Sequence, residues 1–222
     1  MNEKETGVVQ QSVQIFAGPS ITREEALSIL PGAMYCPPVK RGDVLAAVSA
    51  GANVLVIIDG VFFQNEAVAH REILGVLKAG VRVFGASSMG ALRAAELDTL
   101  GMTGCGQIYE WYKSGRIIAD DEVGMVFDAE SGMALSDPMV NIRASFAKAV
   151  AEGVISPEEE AALLKTCKGI YYPERTYRKV VKESPISEEK KTVLQGWLKE
   201  NRVDQKHLDA VCCLKLVRDN LE

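Results

Sequence analysis

Histidine is scarce in this chain, with two residues in 222, so a dedicated zinc site has few ligands to draw on and none is expected. The five cysteines, Cys36, Cys105, Cys167, Cys212 and Cys213, include no C-x-x-C pair, which argues against a disulfide framework and fits packing residues in a reducing interior. No apolar run approaches the ~18 residues needed to span a bilayer. Neither G-x-x-x-x-G-K-[ST] nor G-x-G-x-x-G occurs, and no cofactor motif stands out, so no cofactor is expected. Basic residues are outnumbered, 25 Lys and Arg against 30 Asp and Glu. That balance argues against broad binding to nucleic acid or to an anionic membrane and leaves room for a basic protein partner. The opening "MNEKETGVVQQ" lacks the charged start and apolar middle of a signal peptide, so residues 1–11 read as a frayed tail and the cytoplasm as the expected location.

What the chain does contain is core-forming material: 47% of residues are hydrophobic and 25% charged, the balance of a soluble globule and not of a disordered chain. Apolar runs alternate with helical segments through the first half. "VQIFAG" (13–18), "AMYC" (33–36), "NVLVIID" (53–59) and "VRVF" (81–84) read as strands, each followed by a helical pattern. Thr22 with Glu25 forms a capping box before the first helix. Four such units in series predict an α/β fold with a parallel sheet of about four strands flanked by helices. After Gly101, "GCGQIYEWYKSG" reads as a helix and the segment around "AESG" as a small hairpin. Beyond it lie helices, one opened by Asp137 and Pro138 and another by Ser156 and Pro157 with Glu159 closing a capping box. The expected organisation is a tail (1–11), an α/β core (12–136) and a helical extension packed on it (137–222).

In an open parallel sheet, ligands gather at the carboxyl ends of the strands. The residues just past each strand are therefore the candidates: Gly18 and Ser20, then Lys40 and Arg41, then Asp59, then Ser87 and Ser88. "GASSMGALRAAEL" (85–97) places Ala86, Ser88 and Gly90 in the small-x-nucleophile-x-small pattern of a tight strand-to-helix turn. Ser88 could attack an acyl carbon there, with the Met89 N–H and a donor from the 18–20 loop holding an oxyanion. Alternatively, either serine simply caps the helix. A base is needed, and two are open: His70, about one turn into its helix, and Lys40, if desolvation lowers its pKa. A charged Lys40 would instead bind an anion. Asp59 could orient either base or bond the backbone of its own "DGV" turn. Arg93 and Glu96 on the elbow helix fit either a supporting role or a surface pair, and "ADDEVG" supplies Asp120, Asp121 and Glu122 to the same rim or to solvent.

The blocks "IFAGPSI", "PPVKRGDV", "VLVIIDGVFF", "HREIL", "GASSMGALRAAEL" and "DDEVG", in this order over roughly residues 13–145, resemble the TfuA-like family. The resemblance implies an accessory role in peptide-backbone thioamidation beside a YcaO enzyme, which uses ATP to activate a backbone amide for sulfur. It further implies hydrolysis of the C-terminal thiocarboxylate of a ubiquitin-like sulfur carrier to deliver sulfide. The target would be a peptide or, in the methanogen type that the short chain resembles, a glycine of the methyl-coenzyme M reductase alpha subunit. On the matched blocks, Ser88, Lys40, Asp59 and His70 are the catalytic candidates, and Gly18, Ser20, Arg41, Ser87, Met89 and Arg93 the substrate-binding ones. A non-catalytic adaptor that grips YcaO and the carrier is the other reading.

Overall fold

A computed structural model of the chain describes residues 11–62, 66–127 and 134–221. Five parallel strands run β1 (Val13–Phe16), β2 (Met34–Cys36), β3 (Val54–Ile57), β4 (Arg82–Gly85) and β5 (Thr103–Gly104), in the spatial order β2-β1-β3-β4-β5. The fifth strand was not anticipated: two residues carry no periodicity. It exists because Thr103 and Gly104 pair with Phe84 and Gly85. Strand order reverses between β1 and β3, which makes the carboxyl ends of those two strands the natural crevice.

Both faces of the sheet are buried, and strand alternation sorts the side chains between them. Leu55, Ile57 and Val83 face a layer built from α2 (Asp43–Ser49), α3 (His70–Lys78), α4 (Met89–Leu97) and α5 (Gln107–Lys113). Val13, Ile15, Val54, Val56 and Phe84 face the opposite way, onto α1 (Arg23–Ile29) and the late helix α10 (Gln205–Asp219), which contributes Ala210, Cys213, Leu214 and Val217. Each fully buried aliphatic side chain of this kind stabilises the fold by about 1.5–3 kcal/mol. α10 is thus one of the layers of the sandwich. The helices α6 (Met139–Ala151), α7 (Pro157–Gly169), α8 (Tyr177–Glu183) and α9 (Glu188–Asn201) have a separate core around Phe146, Leu163, Val180 and Leu194.

Local signals explain the helix starts. Thr22 accepts the Glu25 N–H, and Ser156 and Glu159 form the full capping box. Asp137 does not cap α6: Pro138 stands at that position, and the Asp137 carboxylate accepts the Tyr177 N–H at the start of α8. Of the expected hairpin, an antiparallel bridge between Phe127 and Ala134 is present, while its "AESG" turn lies outside the described residues, as does nearly all of the expected N-terminal tail. Among the described residues no helix is long and apolar enough to cross a membrane.

Candidate active site

β1, β2 and β3 end level, Phe16 pairing with Cys36 and Ile57, and the loops after β2 and β3 meet beyond the end of β1 in a bridge between Val39 and Gly60. The Val39 N–H donates to Asp59 O (2.9 Å) and the Val61 N–H to Val39 O (3.0 Å), bringing Lys40 beside the β3 exit. Above this floor lies a cavity of about 950 Å³ lined by Phe16, Pro19, Lys40, Asp59, Phe62, Ser88, Met125, Phe127, Tyr172 and Lys206, among others. Lys40, Asp59 and Ser88 therefore share one cavity, at the point of strand-order reversal.

The β4–α4 junction is a strained elbow. Ser87 has φ +66°, the one positive φ outside glycine among the described residues, and the Ser88 N–H donates to Ala86 O at 2.8 Å, closing a γ-turn of the rare positive-φ hand. Two glycines permit it. A Cβ on Gly90 would lie 1.7 Å from Ile57 O, and one on Gly85 would lie 2.3 Å from Gly90 O, so α4 begins directly against the end of β3. Ser88 occupies the N-cap position of α4 but makes no side-chain cap bond. The hydroxyls of Ser87 and Ser88 are both buried without a hydrogen-bond partner among the described residues. The capping alternative fails on that observation. An orphaned buried hydroxyl costs about 1–3 kcal/mol, and two of them on a strained turn mark a place where stability has been given up. Ser87 bears the strain, and Ser88 forms part of the cavity wall. The Met89 N–H, first in α4, has no acceptor among the described residues.

Asp59 is 3% exposed and serves neither a histidine nor its own turn. Its Oδ2 accepts the N–H groups of Gly18 (2.9 Å) and Ser20 (3.0 Å), and its Oδ1 accepts the Ser20 hydroxyl (2.6 Å). Those donors are consequently spent on Asp59. The second oxyanion donor expected from the 18–20 loop is not available, and Gly18 and Ser20 act as scaffold. The remaining partner of Asp59 is Lys206, whose Nζ lies 3.6 Å from Oδ1 and donates to Val123 O at 3.3 Å. Lys206 is 3% exposed. Burial strips water from its ammonium and lowers its pKa, although the Asp59 carboxylate opposes the shift.

Sequence reasoning missed Lys206, yet a signal was present. Lys206 falls in register with Ala210, Cys213, Leu214 and Val217, the buried stripe of α10, where a lysine has no business unless it is paired or useful.

His70, one of the two candidate bases, is not brought to the cavity. It opens α3, half exposed, with Nε2 2.7 Å from Glu96 Oε2, and Arg93 donates to the same oxygen at 2.7 Å. Arg93 also donates to Val68 O and lies away from the cavity. Arg41 is exposed and does not line it either. Of the acidic run, Asp120 is exposed to solvent, while Asp121 and Glu122 turn into a network of cations. Glu122 receives two bonds from Arg143 and one from Lys168, while Asp121 pairs with Lys168 and with Arg175, which is fully buried. This network anchors the 123–127 segment that roofs the cavity.

The sequence model of TfuA-like proteins matches residues 59–176, just over half of the chain. The chain belongs to the TfuA-like family. No curated protein matches it. Membership supports a general accessory role in thioamidation. Within the matched segment of this TfuA-like chain lie Asp59, the Ser87–Ser88 elbow and the acidic network; Lys40 and Lys206 fall on either side of it and complete the cavity from outside. Among the described residues no cluster of His, Cys, Asp and Glu is arranged to hold a metal ion.

Proposed function

We propose that this TfuA-like chain is a serine hydrolase that releases sulfide from the C-terminal thiocarboxylate of a small ubiquitin-like carrier, for use by a YcaO enzyme. The supporting observation is the unpartnered Ser88 hydroxyl on a strained elbow, at a cavity that also holds a buried lysine. Lys206 takes the role of base, for which His70 and Lys40 were the two open candidates. Its burial favours the neutral amine, which can accept the Ser88 proton as Oγ attacks the thiocarboxylate carbon. The Met89 N–H at the start of α4 faces the developing negative charge. Collapse of the tetrahedral adduct breaks the carbon–sulfur bond and expels sulfur, which leaves as hydrosulfide with the proton from Lys206. Hydrosulfide is a good leaving group, so no separate acid is needed. Water, deprotonated by Lys206, then attacks the acyl-serine and frees the carrier as a carboxylate. Lys40, exposed at the rim, attracts the anionic tail.

The test uses thiocarboxylated carrier and measures sulfide. Ser88→Ala is expected to abolish release while carrier binding persists; undiminished release overturns the reading. A second reading, a non-catalytic adaptor between carrier and YcaO, is favoured by the burial of the Ser88 hydroxyl, which solvent does not reach. Under it Ser88→Ala keeps full stimulation of YcaO, and added inorganic sulfide does not replace the protein. The thioamidated target, whether a free peptide or a glycine of the methyl-coenzyme M reductase alpha subunit, belongs to the same assay as the YcaO substrate.

A further inference from the structure

Three of the five cysteines meet at the junction of β5, α5 and α10, away from the cavity. Cys105 Sγ lies 3.3 Å from Cys212 Sγ, across 107 residues of sequence. Cys212 is exposed, whereas Cys105 and Cys213 are buried. The backbone around them is fixed. The Cys105 N–H donates to Gly85 O at 3.0 Å, and the Asp209 carboxylate, one turn before Cys212 on α10, accepts the N–H groups of Gln107 (3.0 Å) and Ile108 (2.7 Å). Two sulfurs on anchored segments need to close by only roughly 1.2 Å to reach the bonded distance of about 2.05 Å. The neighbouring Cys213 thiol is the largest of the influences that make Cys105 the easiest of the three to ionise, against a smaller cost of burial.

We propose that Cys105 and Cys212 form a reversible disulfide that staples α10, the helix bearing Lys206, to the segment hydrogen-bonded to the elbow glycine Gly85. The co-reactant is a low-molecular-weight disulfide. The Cys105 thiolate attacks one of its sulfurs, forming a mixed disulfide and releasing one small thiolate. Cys212, giving up its proton, then attacks Cys105 Sγ and the second small thiolate leaves. Two protein thiols lose two electrons in all, and one small disulfide becomes two thiols. A dithiol reductant reverses both steps. The bond would lock the relation between the two segments that supply Ser88 and Lys206.

The experiment equilibrates the full chain in glutathione buffers of graded potential and maps disulfides in non-reducing digests by mass spectrometry. A Cys105–Cys212 link within one chain is expected, with Cys36 and Cys167 remaining thiols and the melting temperature rising by roughly 5–15 °C. Cys212→Ser, at an exposed position where folding is preserved, is expected to lose both the link and the rise; Cys213→Ser keeps the link. A chain that stays fully reduced in oxidised buffer, a Cys105–Cys213 link, or links only between chains would each overturn the proposal. Because the readout is a covalent map, it is independent of whether Ser88 releases sulfide.

Discussion

Two regions of the molecule bury a basic side chain, and they treat it in opposite ways. Arg175 has no exposure, yet its guanidinium donates to Cys167 O, Ile170 O, Asp121 O and Asp121 Oδ2 at 2.8–3.2 Å. Every nitrogen is occupied. Lys206, equally hidden, has one carbonyl at 3.3 Å, a thioether at 3.6 Å and a carboxylate at 3.6 Å, and it shares a cavity with a serine whose hydroxyl has no partner. A saturated buried charge holds structure together; an undersatisfied one retains capacity for a ligand or a proton. Burial alone therefore does not distinguish scaffold from site. The closeness of the bonds does.

This contrast can be broken by substitution. The largest effect is expected for Ser88→Ala, which should reduce sulfide release by about 10⁴-fold while leaving the melting temperature unchanged or slightly higher, since an orphaned hydroxyl is removed. Arg175→Met should do the reverse. It strips one Asp121 oxygen and three carbonyls of their guanidinium donor and is expected to cost about 3–5 kcal/mol in denaturant unfolding, with the residual folded protein still active. Lys206→Met should lower release by about 10²–10³-fold with a smaller loss of stability than Arg175→Met, because methionine fills the space and Asp59 keeps its three bonds from Gly18 and Ser20. If Lys206→Met unfolds the protein and Arg175→Met does not, the comparison is inverted.

Titration sharpens the same difference. Burial lowers the Lys206 pKa, so the neutral amine grows as pH rises and release should climb with pH from the acid side until that value is passed. In Lys206→Arg this limb should vanish from the profile of kcat/KM. In the saturated region burial pushes Asp121 up, but hydrogen bonds from Lys168 and Arg175 outweigh it and its pKa is lowered. The stability it contributes is present above the unfolded value of about 3.9 and is lost as pH falls through the lower folded value. Acid unfolding of Asp121→Asn should accordingly lack part of this dependence. The smallest effect is expected for His70→Ala, an exposed pair with Glu96 worth at most about 0.5 kcal/mol, with sulfide release unaffected; a large loss of activity would restore His70 to the mechanism.

Strands β1 to β4 were legible because each is a short apolar run followed by a helical pattern, and the convergence of Lys40, Asp59 and Ser88 followed from the rule about strand ends. What escaped is instructive. β5 is too short to have a period, and its pairing is decided by β4. Lys206 lies some 150 residues beyond Asp59, on a helix whose link to the sheet is purely tertiary. His70 looked apt because its helix starts near the rim, but Glu96 and the turn of α3 carry its ring outward. The acidic run was read as rim or solvent because its cations, Arg143, Lys168 and Arg175, come from segments with no local link to it.

Val13 near one end of the described chain and Val217 near the other belong to the same apolar layer. A polypeptide synthesised from its amino end must hold the bare side of its sheet open until α10 arrives, and contacts of such long separation form late. Until then, hydrocarbon that α10 would cover stays in water as a nucleus for clumping, and the amine meant for the crevice is missing. Completion of the fold and completion of the cavity are, in this chain, one and the same late event.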